Sequence, residues 1–372
     1  MTPRERYLAV YKFEKFDRIP MTDWGPWAST LEQWKAQGWD GKESFAETYR
    51  FDPIEQTGLD FAMLPRFERR LVEDDGRVRL LYDERGVLCR ELVERTDTSM
   101  PHWLDFPVKD RASWEQMKKR YDPHDLARYP ADWEERKRRW AARDYPLQLY
   151  GGRDTGFFGP VRGWMGAEGA MTCFYDDPDL MHEMMDFLAD FTIEVIRKCL
   201  DEVQVDAFVY WEDMAFKTSS LISPRMFREF MLKPYQRVSD FVHGRGVPLT
   251  LMDSDGHISD LIPLWIEGGV DVIYPFEVNS GMDVREVRKQ YPRLGMSGGI
   301  DKRALAQSRS AIDAELAAKM PVTAQGGYLP TVDHALPPDI PLANFRYYME
   351  RKWEWVERIG GGGEPQRAPG EV

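Results

Sequence analysis

Cysteine is scarce in this sequence, and the cysteines that are present form no motif. Cys89, Cys173 and Cys199 have no spacing typical of a metal site. The N-terminus also lacks a basic segment followed by an apolar one, the pattern of a secretion signal. Together these absences predict a cytoplasmic protein.

Long apolar runs and an excess of positive charge are missing as well. No stretch approaches the roughly 20 apolar residues that span a bilayer, so we expect no transmembrane segment. The 50 basic and 63 acidic residues give a net charge of −13, which argues against non-specific binding to nucleic acid or to an anionic membrane. A small molecule or a protein is the expected partner, and the oligomeric state stays open.

The residues that are abundant predict a folded protein with a large core. Hydrophobic residues make up 42% of the chain and aromatic residues 13%. Short β-rich runs, mostly separated by helical patterns, predict a single (β/α)8 TIM barrel of the α/β class. The predicted strands cover residues 17–21, 59–64, 145–151, 206–211, 247–252, 270–275, 294–297 and 326–330.

Additions to this barrel are visible at both ends of the chain and in one insert. Thr2, Pro3 and Glu5 form a capping pattern, which predicts an N-terminal helical segment to about Lys15. Residues 70–94 predict a β-hairpin ribbon within an insert at about 66–143, where Trp114, Trp133 and Trp140 are expected to pack. The domain thus spans 1–358, and residues 359–372 are expected to form a flexible tail.

The stretch at 249–257, LTLMDSDGH, is the first candidate for chemistry. An apolar strand ends there in Asp253, Asp255 and His257, and parallel-barrel enzymes carry their chemistry at the carboxyl ends of strands. The alternative is that one aspartate only caps the following helix. Neighbouring carboxylates repel, so we expect the cluster either to bind a divalent metal or to share a proton.

Other polar residues also follow predicted strands, and the barrel would bring them to the same face. They are Asp23, Glu212, Asp213, Glu277, Asp301, Asp333 and His334. Two loops offer apolar material for the wall of a pocket. Trp24 and Trp27 lie on one, and Arg153, Phe157 and Phe158 lie on the glycine-rich stretch 152–160. The alternative is that these aromatic residues only pack.

A series of motifs along nearly the whole chain resembles the uroporphyrinogen decarboxylase superfamily. The motifs are Arg4-Glu5-Arg6 with Asp17-Arg18-Ile19-Pro20, Leu221-Ile222-Ser223-Pro224 with Phe227, Asp253-Ser254-Asp255-Gly256, Gly298-Gly299-Ile300-Asp301, and Asp333-His334-Ala335-Leu336-Pro337 with Asn344. The resemblance implies a single barrel and one of two activities. These are cofactor-free decarboxylation of uroporphyrinogen and methyl transfer to or from a corrinoid.

The sequence departs from both branches of that superfamily. Decarboxylases resemble one another in an N-terminal run of the type RQAGRY, which is absent here, although His334 matches their C-terminal histidine. The methyltransferases typically bind zinc through His-x-Cys-Gly and a later cysteine, where this chain has Asp253, Asp255 and His334. That set lacks soft thiolates but could still hold zinc or another divalent metal, so these three residues are tentative metal ligands as well as catalytic candidates.

We therefore expect a corrinoid-linked methyltransferase that moves a methyl group between a small molecule and a cobalamin-carrying partner protein. The alternative is a carboxy-lyase that uses Asp253 or Asp255 as its acid–base group, and a third possibility is a tetrapyrrole carrier. Residues expected to bind the substrate or cofactor are Trp24, Trp27, Arg153, Phe157, Phe158, Glu212, Asp213, His257, Glu277 and Asp301.

Overall fold

The computed structural model describes residues 1–94 and 100–360, which form an α/β fold with two sheets. The strands are β1 (Glu55–Gln56), β2 (Arg70–Asp74), β3 (Val78–Tyr82), β4 (Leu88–Leu92), β5 (His102–Asp105), β6 (Leu147–Tyr150), β7 (Ala207–Trp211), β8 (Leu249–Asp253), β9 (Val272–Phe276), β10 (Gly295–Ile300) and β11 (Tyr328–Val332).

The helices are α1 (Pro3–Tyr11), α2 (Ala28–Ala36), α3 (Phe45–Thr48), α4 (Arg111–Lys118), α5 (Trp133–Ala141), α6 (Phe158–Asp176), α7 (Pro178–Glu202), α8 (Pro224–Met226), α9 (Leu232–Gly244), α10 (Ile262–Glu267), α11 (Val284–Gln290), α12 (Lys302–Gln307), α13 (Arg309–Lys319) and α14 (Leu342–Gly360). A π-helical turn, Phe227–Met231, joins α8 to α9. Short 3-10 helices cover Leu126–Arg128, Gly152–Asp154, Val278–Ser280 and Met320–Gln325.

A curled parallel sheet carries the core, in the order β1-β6-β7-β8-β9-β10-β11. Its central strands are buried on both faces because helices cover one side and the curl encloses the other, as the continuous apolar runs predict. Six of the predicted strands correspond to β6 through β11. In the register, Trp211 at the end of β7 lies beside Asp253 at the end of β8, so these two ends meet at one edge.

The prediction of eight barrel strands is wrong at the beginning of the chain. Residues 17–21 form no strand, and the first strand of the sheet is β1 rather than 59–64. Pro20 has no N–H to donate to a ladder. The alternating residues of 59–64 are buried, but their backbone bonds go to the insert, from the N–H of Asp60 to the carbonyl of Arg128 and from that of Leu64 to the carbonyl of Arg120. The described strands therefore form a curled seven-stranded sheet and not a complete eight-stranded barrel.

Residues 19–23 nevertheless lie between the two edges of this sheet. The N–H of Asp52, near β1, donates to the carbonyl of Met21 over 2.7 Å. On the other side, the N–H of Val332 in β11 donates to the carboxylate of Asp23 over 2.9 Å. A side-chain oxygen thus replaces part of the missing backbone ladder.

The amino-terminal end of the sheet is covered by α1. The predicted capping box of Thr2 and Glu5 is present, and it begins the helix at Pro3. Arg4 pairs with Asp206 just before β7, and the N–H of Gly327 just before β11 donates to the carbonyl of Val10. The carboxyl ends of the strands remain as the open side, which we call the mouth.

The predicted insert is present and larger than a simple hairpin. Strands β2 to β5 form a four-stranded antiparallel sheet in sequential order. Trp114, Trp133 and Trp140 are buried as expected. The final helix extends to Gly360, so most of the tail predicted at 359–372 lies outside the described residues. Within the described part of the chain, no helix is both long and apolar enough to cross a bilayer.

A buried ion pair fastens α14 to the segment between the sheet edges. Lys352 Nζ lies 2.7 Å from Asp23 Oδ2, and both side chains are almost completely shielded from solvent. The ammonium also donates to the carbonyl of Thr22, and the hydroxyl of Tyr348 donates to Asp23. Asp23 is thereby occupied in closing the fold and does not face the mouth.

We expect the variant Lys352→Met to lose about 3–5 kcal/mol of unfolding free energy, because it leaves the Asp23 carboxylate buried without its cation. Urea denaturation would measure this loss, with the exposed Lys289→Met as the control. Adding Asp23→Asn should restore part of the stability, because neither charge then remains. Equal, small and additive effects of the two substitutions would contradict a coupled buried pair.

Candidate active site

Asp253 is a largely buried ionisable group at the centre of the mouth. It ends β8, is 9% exposed, and accepts a hydrogen bond of 2.8 Å from the hydroxyl of Tyr150 at the end of β6. Burial raises the pKa of Asp253 to about 7, with a smaller contribution from the negative charges of Asp255 and Asp213, while the Tyr150 bond opposes the shift. At neutral pH this carboxyl group is therefore poised between its acid and its carboxylate.

An aspartate–histidine pair lies beside it. Asp255 Oδ2 is 3.4 Å from His334 Nε2, although 79 residues separate them in the chain. The bond to Asp255 raises the pKa of His334 against the opposing effect of burial. The indole of Trp24 stacks on this imidazole at 5.8 Å between ring centroids and 9° between planes. His334 thus contacts both Asp255 and Trp24, and Asp253 lies near enough for the charges of Asp255 and His334 to act on it.

The expectation of a metal centre at Asp253, Asp255 and His334 is not met by this geometry. Among residues 1–94 and 100–360, no group of three or more histidine, cysteine, aspartate or glutamate side chains is arranged to hold an ion. Asp253 instead pairs with Tyr150, and Asp255 pairs with His334. These two pairs fit the shared-proton alternative better than a metal site, and we call the four residues the proton-sharing centre.

A second cluster of charged residues lies next to this centre, after the ends of β9, β10 and β11. Glu277 accepts from the N–H of Gly256 over 3.0 Å, and Lys302 Nζ lies 4.0 Å from Glu277 Oε1 and 3.7 Å from Asp333 Oδ1. Burial raises the pKa of Asp333. Glu277 thus holds the loop that carries Asp255, and Lys302 offsets part of the local negative charge.

His257 and Asp301 have structural contacts. The Nδ1 atom of His257 is 2.7 Å from the carbonyl of Ser280, so the ring ties two loops of the mouth together. Asp301 caps α12 and pairs with Arg303. Burial alone would raise the pKa of Asp301, but the bonds with Arg303 outweigh it and the pKa is lowered. Asp301, which was expected to bind the substrate or cofactor, therefore caps a helix.

Glu212 and Asp213 follow β7 and point in different directions. Glu212 is fully buried and accepts hydrogen bonds from the N–H groups of Phe157 and Gly159 at 2.7 and 2.8 Å and from the hydroxyl of Tyr235. Burial raises its pKa to about 7. Asp213 has a left-handed backbone, with φ of 52°, and pairs with Arg162 over 2.9 Å. Glu212 anchors the start of α6, whereas Asp213 lies on the rim of the mouth.

Phe157 and Phe158 do not form a pocket wall. They are 1% and 0% exposed and pack in the core, Phe157 against Tyr235 and Phe158 against Phe174. The glycine-rich loop that precedes them led sequence reasoning to expect accessible rings. The backbone of that loop instead turns inward because Glu212 binds its N–H groups.

The remaining candidates reach solvent. Trp27 is 42% exposed, and Arg153 places its guanidinium 5.3 Å from the centroid of the Trp211 ring. Sequence reasoning missed Tyr150 and Lys302. Both occupy strand-end positions, so applying the rule to tyrosine and lysine as well as to acids and histidines would have found them.

A cavity of about 500 Å³ lies away from the mouth, between β5 and α6. Phe106, Met165 and Asp177 are among its lining residues, and none of the strand-end residues described above lines it. We assign the chemistry to the mouth because perturbed ionisable groups with specific partners converge there.

Comparisons with known proteins agree with this architecture. The solved structure of a methyltransferase from Methanosarcina mazei is 16% identical, with a TM-score of 0.59, and the match covers 95% of this chain and 99% of that one. An engineered protein is also 16% identical, with a TM-score of 0.31 and coverage of 58% and 55%. At 16% identity the likeness to the methyltransferase concerns the fold alone, and at a TM-score of 0.31 nothing follows from the engineered protein. No curated protein sequence matches the chain.

The family model for uroporphyrinogen decarboxylase (URO-D) matches residues 161–355. This range is more than half of the chain and contains Asp253, Asp255 and His334. The chain belongs to the uroporphyrinogen decarboxylase family.

Proposed function

We propose that this protein is a methyltransferase that moves a methyl group between a small molecule and a corrinoid carried by a partner protein, with its active centre at the mouth. The direction we favour is demethylation of an oxygen- or nitrogen-linked methyl group. Support comes from the proton-sharing centre, the family and the fold likeness to a structure described as a methyltransferase.

The raised pKa of Asp253 is the observation on which the proposal depends. When a methyl group leaves oxygen or nitrogen, the heteroatom keeps the electron pair of the broken bond and is stabilised by a proton. A carboxyl group with a pKa of about 7 can supply that proton at neutral pH. The Asp253 carboxylate that remains is stabilised by the hydroxyl of Tyr150.

The Asp255–His334 pair supports the same chemistry. Because its pKa is raised, His334 holds a proton more readily than a free imidazole. It lies near Asp253, whose pKa its charge lowers. We assign His334 the role of exchanging protons with the centre after each turnover, with Trp24 fixing the plane of its ring.

Methyl transfer to a thiol is less consistent with these residues. Thiol activation in this superfamily is expected to use zinc with sulfur ligands, and such ligands are absent from the three corresponding positions. No three metal-capable side chains converge in the described chain either. An oxygen or nitrogen compound needs no such activation when it is the methyl donor.

We expect a large flat ring on a partner protein to contact the rim of the mouth at two exposed aromatic side chains. Trp27 and Phe216 are 42% and 61% exposed, and each is attached to a loop that carries site residues. The N–H of Trp27 donates to the carbonyl of Leu336, two residues after His334. The N–H of His257 donates to the carbonyl of Phe216. A corrinoid, when bound, supplies the nucleophilic centre that accepts the methyl group. The two aromatic side chains would provide its apolar contacts.

Decarboxylation is the second candidate, and the Asp253–Tyr150 pair is the observation that favours it. Loss of carbon dioxide leaves a carbanion that a neutral carboxyl group could protonate. However, Asp253, Asp255, Glu277 and Asp333 surround the centre, and they disfavour close approach of a substrate with many carboxylates. We therefore expect a decarboxylase substrate, if one exists, to be much less charged than uroporphyrinogen.

The first test is methyl transfer from a panel of methyl ethers and methylated amines to reduced cobalamin, followed by the absorbance of methylcobalamin. We expect Asp253→Asn to lower kcat about 100-fold or more, because the amide cannot act as the acid. Asp271→Asn, at the opposite end of the sheet, is the matched control. Full activity of the Asp253→Asn variant would exclude the proposed role.

The second test concerns pH. If protonated Asp253 is the active form, activity should fall as the pH rises through about 7. Tyr150→Phe removes a bond that stabilises the carboxylate, so the pKa of Asp253 should rise and this limb should move to higher pH. Tyr347→Phe, on α14, serves as the control. A limb that stays in place or moves to lower pH in Tyr150→Phe would contradict the assignment.

The third test separates the two activities. We expect no measurable conversion of uroporphyrinogen to coproporphyrinogen, because the N-terminal arginine run of the decarboxylases is missing and the centre is acidic. Product analysis under anaerobic conditions, with an authentic decarboxylase as the positive control, would show it. Turnover comparable to that enzyme would replace methyl transfer with decarboxylation as the proposed function.

A further inference from the structure

The mouth has an acidic side and a basic side. Asp253, Asp255, Glu277 and Asp333 belong to β8, β9 and β11 and the loops that follow them, whereas three arginines gather beside the ends of β6 and β7. These arginines are Arg153 after β6, Arg162 in α6, and Arg85 from the insert.

The indole ring of Trp211, at the end of β7, lies close to two of these arginines. The guanidiniums of Arg153 and Arg162 lie 5.3 and 5.4 Å from the centroid of its ring. The ring rests on α6 at Gly159, where an added Cβ would come within 2.9 Å of it. Since Trp211 is also the register neighbour of Asp253, this surface adjoins the proposed active centre.

Arg85 reaches the same face of α6 from the insert. Its Nη1 atom is 3.9 Å from the position that a Cβ on Gly163 would take. Gly159 and Gly163 are four residues apart, so they lie on one face of the helix. Arg85 and Trp211 thus occupy adjacent places on that face.

The turn that carries Arg85 is built to hold it in position. The Asp83 carboxylate accepts hydrogen bonds of 2.9 Å from the N–H groups of both Arg85 and Val87. Gly86 has a φ of +80° and packs directly against Phe67. Such a turn fixes the backbone from which the Arg85 side chain extends, so no backbone ordering is needed when a ligand binds.

Two of the three arginines have no ion pair within 4 Å in the described residues, although Asp213 and Asp154 lie near enough for their charges to interact with them. Arg162 is neutralised by Asp213 over 2.9 Å, and neighbouring Arg66 by Asp60. Within residues 1–94 and 100–360, neither Arg85 nor Arg153 has a carboxylate oxygen within 4 Å. The nearby Asp154 does not pair with them, and its burial raises its pKa, which weakens it as a counter-ion. Burial and then the nearby charge of Arg85 lower the pKa of Arg153, so an anion placed between the two guanidiniums would stabilise both.

We infer that Arg85 and Arg153 form an anion-binding subsite for a carboxylate on the substrate, which would lie against Trp211 with its reacting end toward Asp253. This inference rests on the proposed function for the reacting end, but not for the binding of the anion. It names the substrate class as small methylated carboxylates. A molecule with a single carboxylate satisfies both halves of the mouth, whereas one with many carboxylates would place some of them against the acidic half.

Calorimetric binding of benzoate, with the uncharged benzamide as its matched analogue, tests the subsite without any corrinoid. We expect benzoate to bind at least about 10-fold more tightly, since hydrogen bonds to a charged group are stronger than those to a neutral one. Arg85→Gln and Arg153→Gln should each weaken benzoate about 10-fold and leave benzamide unchanged. Added salt should weaken benzoate selectively, because the arginines are partly exposed.

Arg79→Gln is the matched control, because Arg79 belongs to the same insert but pairs with Asp74. Arg153→Lys should restore part of the affinity if charge is what matters. Equal affinity for benzoate and benzamide, or benzoate binding that survives both glutamine variants, would overturn the subsite. Arginine-dependent benzoate binding without methyl transfer from any methylated carboxylate would refute the proposed function alone. Methyl transfer combined with charge-independent binding would refute only the subsite.

Discussion

The buried contact between Lys352 and Asp23 is the constraint on which the arrangement of the mouth depends. A seven-stranded parallel sheet curls without closing, and residues 19–23 occupy the gap between its edges. The last helix supplies the cation that allows the Asp23 carboxylate to be buried there. Trp24 follows directly and stacks on His334 beyond β11, so the closure of the sheet and the geometry of the active centre share one segment.

Burial gives this mouth its chemistry. Exposed aspartates are ionised at neutral pH, whereas Asp253 lies deep enough that its pKa rises to about 7. The phenol of Tyr150 limits the shift, and the neighbouring Asp255 is balanced by His334. The result is a centre able to give and take protons near neutral pH, set in a family whose chemistry includes decarboxylation. The arginines around Trp211 add an opposite charge at a position where a substrate could be oriented.

Much of this arrangement was predictable from the sequence, because apolar runs that end in acids indicate the carboxyl ends of parallel strands. That rule located β6 to β11 and paired Asp255 with His334, with Asp253 close enough for their charges to act on it. The rule failed where contacts between segments far apart in the chain decide the local structure. Residues 59–64 alternate like a strand but bond to the insert, Phe157 turns inward because Glu212 binds its N–H, and the proposed metal ligands find other partners. Arg85 could not be found at all, since nothing local links a turn in an insert to the mouth.

The most direct test of the proton-sharing centre is the ionisation of Asp253 itself. Infrared difference spectra of the carboxyl groups, recorded as a function of pH for the wild-type protein and for Asp253→Asn, would report it without any substrate. Glu212, whose pKa is also about 7, should titrate in both proteins and therefore cancel. We predict a carboxyl band in the wild type that disappears as the pH rises through about 7 and is missing from the variant. If Asp253 instead titrates near the ordinary value for aspartate, about 3.9, the site is a carboxylate at neutral pH and cannot be the acid proposed here.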